Sequence, residues 1–320
     1  MDAVIRKQLK IKACKARMGI IEGVFNAKSG HPGGSLSCVD IVTYLYFQHM
    51  NIDPQNPKME DRDRFVLSKG HAVPALYSVL AQRGFFPVEQ LKTLRKSDSM
   101  LQGHPSMKYT AGVDMCTGSL GQGISTACGM ALASKLDGKS NRVYTILGDG
   151  EIQEGQVWEA AMFASAKGLD NLVAVVDNNG LQIDGKISEV NTPYPIAEKF
   201  RAFGWNVIEI DGHDFGQIAD ALAKAREFSA EKAAARELKR TLPDVKAAFH
   251  AMSMNVQYPV TIQDEDLRMA FQSMEGVQDL IAKIVESVYN AASYDEYLIL
   301  KYLIIKAVSS LKTFFSSFLL

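Results

Sequence analysis

Apolar positions in the first two-thirds of the chain switch repeatedly between two spacings. Val4, Ile5, Leu9, Ile11, Ile20, Ile21 and Val24 recur at helical intervals and predict a helix over 3–28. Ser29-Gly30-His31-Pro32-Gly33-Gly34-Ser35 is too rich in Gly and Pro for either regular element and predicts a loop. Ser37 is then placed to cap a helix carrying Val39, Ile41, Val42, Leu45 and Phe47. Polar residues 51–63 predict a second loop. Phe65-Val66-Leu67 predicts a short buried strand that ends in Ser68-Lys69-Gly70-His71, with a helix from about Pro74 to Arg83 behind it. Residues 84–116 are irregular. Thr117-Gly118-Ser119-Leu120-Gly121-Gln122-Gly123 then opens a helix of small residues, Ile124 to Leu136. The apolar runs Val143–Leu147 and Leu172–Val176 predict strands on either side of a helix over 154–167. A loop over 178–195, a short helix over 195–203, a strand Trp205–Ile210 ending in Asp211-Gly212-His213-Asp214, and a helix from Phe215 to about Arg226 complete the series. Strands alternating with helices predict an α/β fold with a mainly parallel, doubly wound sheet and helices on both faces.

The texture changes after about Glu227. Residues 227–240 are mostly Ala, Lys, Arg and Glu and predict a charged linker or solvated helix. The remainder is helical in period around 262–290 and 294–308, with an interruption at Tyr258–Ile262 and the single glycine Gly276. The expected organisation is thus a domain over 1–226, a linker over 227–240 and a divergent, mostly helical segment over 241–320. At 47% hydrophobic and 22% charged residues, the composition is that of an ordinary globular protein. A formal net charge of −1 argues against general nucleic-acid or membrane binding, while leaving room for a local anion pocket. The four cysteines, Cys14, Cys38, Cys116 and Cys128, have no close-paired spacing and read as thiols in a reducing compartment. Lys and Arg stud Met1–Ile20, so no signal peptide is expected. Leu298–Val308 is broken by Lys301 and Lys306 and is too short to span a bilayer, so a cytoplasmic location is expected.

Chemistry gathers at the ends of the predicted strands. One apolar run delivers Gly148-Asp149-Gly150 and the next delivers Asp177-Asn178-Asn179. Asp149 and Asn179 are thirty positions apart (179 − 149), room for one strand–helix–strand crossover. In an open parallel sheet, ligands bind at that carboxyl edge. Asp and Asn are hard oxygen ligands suited to magnesium or calcium, and magnesium is commonly held together with a substrate's phosphates. Either cluster alone reads equally well as a turn without a ligand; their matched placement favours a shared ion. The Gly-rich start at Thr117–Gly123 offers backbone N–H groups and a helix dipole to a phosphate. Of the six histidines, His31, His71, His104 and His213 lie in Gly- or Pro-containing turns, where imidazole can move protons or hold phosphates and hydroxyls. There is no Gly-x-Ser-x-Gly elbow and no Gly-Lys-Ser/Thr phosphate loop. An ion, a phosphate cradle and several histidines together point to a phosphorylated cofactor.

A set of ordered motifs carries a family resemblance. These are SGHPGGSLS at 29–37, SKGHAVPALY at 68–77, QGHP at 102–105, TGSLGQGIS at 117–125, GDGEIQEGQVWEA at 148–160, DNNGLQIDG at 177–185 and GWNVIEIDGHD at 204–214. Through them, residues 1 to about 226 resemble the N-terminal, thiamine-diphosphate-binding half of transketolase, in particular the split form in which this half is a separate subunit. The related deoxyxylulose-phosphate synthases are the alternative. The resemblance implies that Asp149 and Asn179 ligate magnesium (or another divalent cation such as calcium), helped by the Leu181 carbonyl. It implies that His71, Gly118, Ser119 and Leu120 contact thiamine diphosphate and that Gly150 approaches its phosphate. Glu154 is the implied acid of the cofactor machinery at a subunit interface. His31 and His104 are implied to face the sugar and act in proton transfer.

The implied activity is transfer of a two-carbon ketol unit from a ketose phosphate to an aldose phosphate, as in the pentose phosphate pathway. The family's activating glutamate lies in a pyrimidine-binding domain that has no counterpart here. A partner subunit carrying that domain is therefore implied, in a dimer or heterotetramer, with sugar phosphates as substrates and no nucleic acid. The strand and Lys-Gly-Lys-Gly segment that follow in the family do not appear after Arg226. Instead Thr241 to about Val308 resembles part of a major capsid protein of small tailed phages. That implies either a chimera, leaving a non-catalytic cofactor-binding or assembly module, or a lineage-specific extension.

Overall fold

The computed structural model describes residues 1–183 and 185–228. The chain divides into two units, Met1–Thr241 and Leu242–Leu320, and the described residues all belong to the first. The expectations for 229–320, helices and capsid-like segment included, lie outside the described residues. Helix α1 (Ala3–Ala27) starts at Asp2, whose carboxylate accepts the Val4 and Ile5 N–H groups at 2.8 and 3.3 Å. Helix α2 (Pro32–Tyr44), strand β1 (Arg64–Leu67), helix α3 (Val73–Arg83) and helix α4 (Gly123–Leu136) follow, then β2 (Val143–Gly148), α5 (Gly155–Ala166) and β3 (Leu172–Asp177). A small antiparallel hairpin, β4 (Leu181–Gln182) with β5 (Gly185–Lys186), leads to α6 (Ile187–Val190), α7 (Ile196–Ala202) and α8 (Phe215–Glu227).

The three longer strands form a parallel sheet in the order β1-β2-β3. Their side chains alternate between two cores, as a pleat with period two requires. Phe65, Leu67, Tyr144, Ile146, Val173 and Val175 face the core built with α1, α2, α3 and α8. Val66, Val143, Leu147, Leu172, Ala174 and Val176 face the core built with α4, α5 and α7. Both faces of the sheet are covered, which explains why these strands read as continuous apolar runs rather than as alternating ones. The expected α/β fold with helices on both faces is what the chain adopts. Among the described residues, no helix is long and apolar enough to cross a membrane.

Three local expectations need correction. The Ser29–Ser35 loop stops at His31, and α2 begins at Pro32, inside the predicted loop. Proline suits a first helical turn, since its missing N–H would have had no partner there. Gly34 belongs because a Cβ at that position would lie 3.2 Å from His71 Nε2. Ser37 accordingly caps nothing; it lies within α2 and donates from its hydroxyl to the Gly34 carbonyl at 3.2 Å. Finally, Trp205–Ile210 pairs with no strand among the described residues. Trp205 and Val207 still pack against the α5–α7 core, and the Trp205 indole donates to the Ala161 carbonyl at 3.0 Å, so the alternation is real but no ladder completes it.

After α2 the chain makes a π-turn, Leu45–His49, that sets the His49 ring edge-on to Tyr144 at 5.4 Å. Its Nε2 accepts from Arg226 Nε at 3.3 Å. Burial, with help from Arg226 and Arg142, lowers the His49 pKa to about 4 from an ordinary 6.5. The unfolded chain then binds a proton that the folded chain refuses, so this group's share of stability is intact above 6.5 and is lost as pH falls toward 4. In urea titrations between pH 7 and 4.5, His49→Gln is expected to show a shallower decline of the midpoint than wild type. An unchanged slope would show that His49 does not carry the linkage.

Candidate active site

The parallel register brings the polar strand ends together. Gly148 of β2 lies opposite Asp177 of β3, and β1 ends one residue before Ser68. Asp149, the first residue past β2, donates its N–H to the Asp177 carbonyl at 3.2 Å. Its side chain is 1% exposed. One carboxylate oxygen accepts from Gly150 N at 2.9 Å and the other from Gly180 N at 2.7 Å. Burial raises the Asp149 pKa against the pull of these two N–H groups, and Asp177 nearby adds to the rise. The carboxylate has no ion-pair partner among the described residues. The Asn179–Gly180–Leu181 turn hangs on it. Asn179 Oδ1 accepts from Leu181 N at 2.9 Å, and its amide reaches Ser37 Oγ at 3.5 Å. Leu181 is 62% exposed, and Gly150 faces Gln182, whose Cβ lies 3.4 Å from where a Gly150 Cβ would be.

The histidine turns converge beside this edge. The His31 and His71 rings meet edge to face at 5.1 Å. Burial, then Lys69, His31 and His104, lowers the His71 pKa to about 4, so the ring is neutral at physiological pH. His104 is also lowered, by burial and then by Arg95 and His31. Gly118 has φ +150 and backs onto His104: a Cβ there would sit 3.1 Å from the ring. Ser119 and Leu120 are exposed on the same loop. Glu154 does not join the histidines. It is exposed beside the loop, where a Gly121 Cβ would come within 2.7 Å of the Glu154 Cβ, and it is the residue before α5. His213 stands apart as well, its Nδ1 at 2.7 Å from the buried Asp40, which also pairs with Arg17.

Two buried ionic residues escaped the sequence reading. The Lys69 ammonium is 1% exposed; it pairs with Asp177 and donates to the Gly34 carbonyl at 2.8 Å. Burial disfavours the Lys69 charge, but neighbouring Cys38 and Asp177 more than offset this and hold its pKa above the ordinary value. Asp177 also accepts from Ser37 Oγ. Glu151, 2% exposed, accepts from Gly121 N at 2.9 Å and Gly148 N at 3.0 Å, and bonds Ser68 Oγ. It ties the Gly-rich loop to two strand ends, and burial raises its pKa. Both residues lie inside motifs already singled out, two positions past β1 and three past β2. The available signal was a charged residue within three positions of an apolar strand's end.

The donor set fits a divalent cation paired with a phosphate. Among the described residues there is no cluster of three or more His, Cys, Asp or Glu side chains able to hold a metal. One buried carboxylate, one amide oxygen and one carbonyl leave the remaining positions of an octahedral ion to water and ligand phosphates. A cation at Asp149 would offset the burial that now disfavours its charge.

Comparisons with known proteins show the family to which the chain belongs. Residues 8–242 match the family described as transketolase, thiamine diphosphate binding domain. Residues 212–316 match the Phi29-like phage major capsid protein family. The 6-deoxy-6-sulfo-D-fructose transketolase subunit SqwG of Clostridium sp. is 54% identical over 197 residues, 62% of this chain and 72% of that protein. One of the subunits of the apulose-4-phosphate transketolase of Phocaeicola vulgatus is 44% identical over 210 residues, 66% of this chain and 74% of that one. The crystal structure of Campylobacter jejuni transketolase superposes with a TM-score of 0.66 at 35% identity, covering 71% of this chain but 36% of the solved one. The chain thus spans about a third of the length of that solved enzyme. The buried Asp149, the neutral histidines and the Gly-rich loop occupy the matched region, and the chain belongs to the transketolase family through its thiamine-diphosphate-binding domain.

Proposed function

We propose that this chain is the diphosphate-holding subunit of a two-subunit transketolase. It transfers a two-carbon ketol unit from a ketose phosphate to an aldose phosphate with thiamine diphosphate and Mg2+. The observation that carries the reading is Asp149: a carboxylate buried at the edge of a parallel sheet, braced by two backbone N–H groups and without a cation among the described residues. Asp149, Asn179 and the Leu181 carbonyl would hold the metal. His71 and the Gly118–Leu120 loop would position the cofactor, Gly150 leaves room for a phosphate, and Glu154 would face the subunit interface as the resemblance implies. Thiamine diphosphate, when bound, supplies a nucleophilic carbon and an electron sink for cleaving the ketose. The protein's task is then to position the sugar and move its protons. A neutral His104, near His31, is equipped to accept a proton from a sugar hydroxyl.

The two-subunit reading is supported by the relatives named as subunits and by the length of chain matched in the full enzyme. The ketoses in those names differ, one bearing a 6-sulfo group and the other a phosphate, so the substrate class proposed is sugar phosphates together with ketoses that carry another anionic end group. The division proposed is a thiamine-diphosphate-binding domain over 1–226, a charged linker or helix over 227–240 and a divergent, mostly helical segment over 241–320. A second reading, a chimera that binds cofactor without catalysis, is favoured by the capsid-family match, which overlaps the transketolase match over 212–242.

In calorimetric titrations, thiamine diphosphate binds only with a divalent cation, and Asp149→Ala weakens that binding by on the order of 100-fold; cation-independent binding would refute the assigned ligand. The chain alone shows no ketol transfer, and turnover appears when a pyrimidine-domain subunit is added. In that mixture His104→Ala lowers kcat/KM by roughly 10²–10⁴-fold while cofactor affinity holds. Full turnover without a partner would overturn the two-subunit reading, and cofactor binding without turnover in any mixture would favour the chimera.

A further inference from the structure

Helix α1 carries a second apolar face that is exposed among the described residues. Its inner face, Leu9, Ala13, Ala16, Ile20 and Gly23, is buried in the core shared with α2 and α3. On the opposite side Val4, Ile11, Met18 and Phe25 recur every seven residues and are 63%, 49%, 68% and 79% exposed. Exposed Cys14 and Ile21 fill the seam between them. This is the spacing that packs one helix against another by knobs into holes. The 21 steps from Val4 to Phe25 extend it about 31 Å at 1.5 Å per residue. Isolated exposed apolar residues are ordinary, but a continuous stripe of this length marks an interaction surface.

The charges around the stripe define what covers it. Helix α1 holds six basic residues and one acid, Glu22. Among the described residues, Arg17 pairs with Asp40, Lys12 stacks on Phe47 at 4.2 Å, Glu22 pairs with Lys92 at 3.3 Å, and Arg6 and Lys10 act on Asp214. Lys7 occupies the seam position one heptad before Cys14, Lys15 borders the stripe, and neither has an ion-pair partner among the described residues. A second copy of the chain would bring like charges together, Lys15 near the crossing of an antiparallel pair. The complementary surface is apolar with a carboxylate rim. The stripe also runs into the candidate active site: Phe25 is followed by the left-handed turn at Lys28 and then by His31.

We infer that the outer face of α1 is the docking surface for the pyrimidine-domain subunit, which meets it with an apolar ridge bordered by acidic side chains. This rests on the two-subunit reading above. Docking here places the partner against the loop that carries His31.

The test uses the full chain and, as probe, the companion subunit of the Clostridium relative. Light scattering and titration calorimetry measure the complex, and maleimide labelling of Cys14 reports cover of the stripe. The expected result is a complex in which Cys14 labelling slows at least tenfold. Met18→Glu with Phe25→Glu should raise Kd by roughly 30-fold or more. Lys7→Glu with Lys15→Glu should weaken the salt dependence. Thiamine diphosphate affinity and the melting midpoint should match wild type in both variants, showing that the fold and cofactor site are intact. If the variants bind as wild type does, the docking surface is elsewhere and the inference falls while the two-subunit reading stands. If wild type forms no complex, that reading fails and takes the inference with it. Cys14 protected in the isolated monomer would mean that the chain's own residues cover the stripe. A dimer of the chain alone, dissolved by Met18→Glu with Phe25→Glu, would mean that a second copy does. Either result overturns the inference.

Discussion

A buried ammonium must be neutralised where it lies, and much of the active-site edge is arranged around that requirement at Lys69. Removing one partner from a buried ion pair typically costs about 3–5 kcal/mol, because the other charge is left without compensation. Lys69 follows β1 and Asp177 closes β3, so their pair spans the end of the middle strand. The Gly34 carbonyl and the Ser37 hydroxyl bind the same two groups and anchor the first turns of α2. With Lys69 committed to Asp177, the carboxylate between them in the sheet, Asp149, has only backbone N–H groups. The arrangement thus uses its buried cation for structure and leaves an acid facing the edge, the polarity that a bound metal ion complements.

The histidines follow the same logic. Burial and nearby positive charge keep His71 neutral, with a pKa of about 4, and lower His104 as well. A neutral imidazole at His71 can donate and accept hydrogen bonds without repelling a metal ion. Glu151 supplies the rigidity. Its two carboxylate oxygens bind the Gly-rich loop, the end of β2 and Ser68 together, so the loop backing onto His104 is fixed from beneath rather than free at the surface.

Most of this was legible in the sequence wherever a periodic pattern met a polar end. The apolar runs at 65–67, 143–147 and 172–176 gave the parallel strands, and Asp149 and Asn179 came to one edge because parallel register places successive strand ends side by side. The start of α2 was not legible, because Gly33 and Gly34 signal a loop locally whereas the close approach of His71 favours glycine within the helix. Trp205–Ile210 has strand periodicity, but periodicity reports burial on one side and cannot supply a pairing partner. Lys69 and Glu151 escaped because a buried charge is recognisable only through its partners, and the side chains they bond, Asp177 and Ser68, are 108 and 83 positions away in the chain. The outer stripe of α1 was merged with the inner one, since two opposed apolar faces on one helix weaken the amphipathic signal that either alone would give.

The central claim is that the edge at Asp149 is built to hold a divalent cation together with a diphosphate. The most direct measurement is a crystal structure of the full chain grown with Mn2+ and thiamine diphosphate, with the metal located by anomalous scattering. The account predicts one anomalous peak about 2.1 Å from an Asp149 carboxylate oxygen, shared with Asn179 Oδ1 and the diphosphate. A diphosphate bound with no metal at Asp149, or a metal peak elsewhere in the domain, would contradict it.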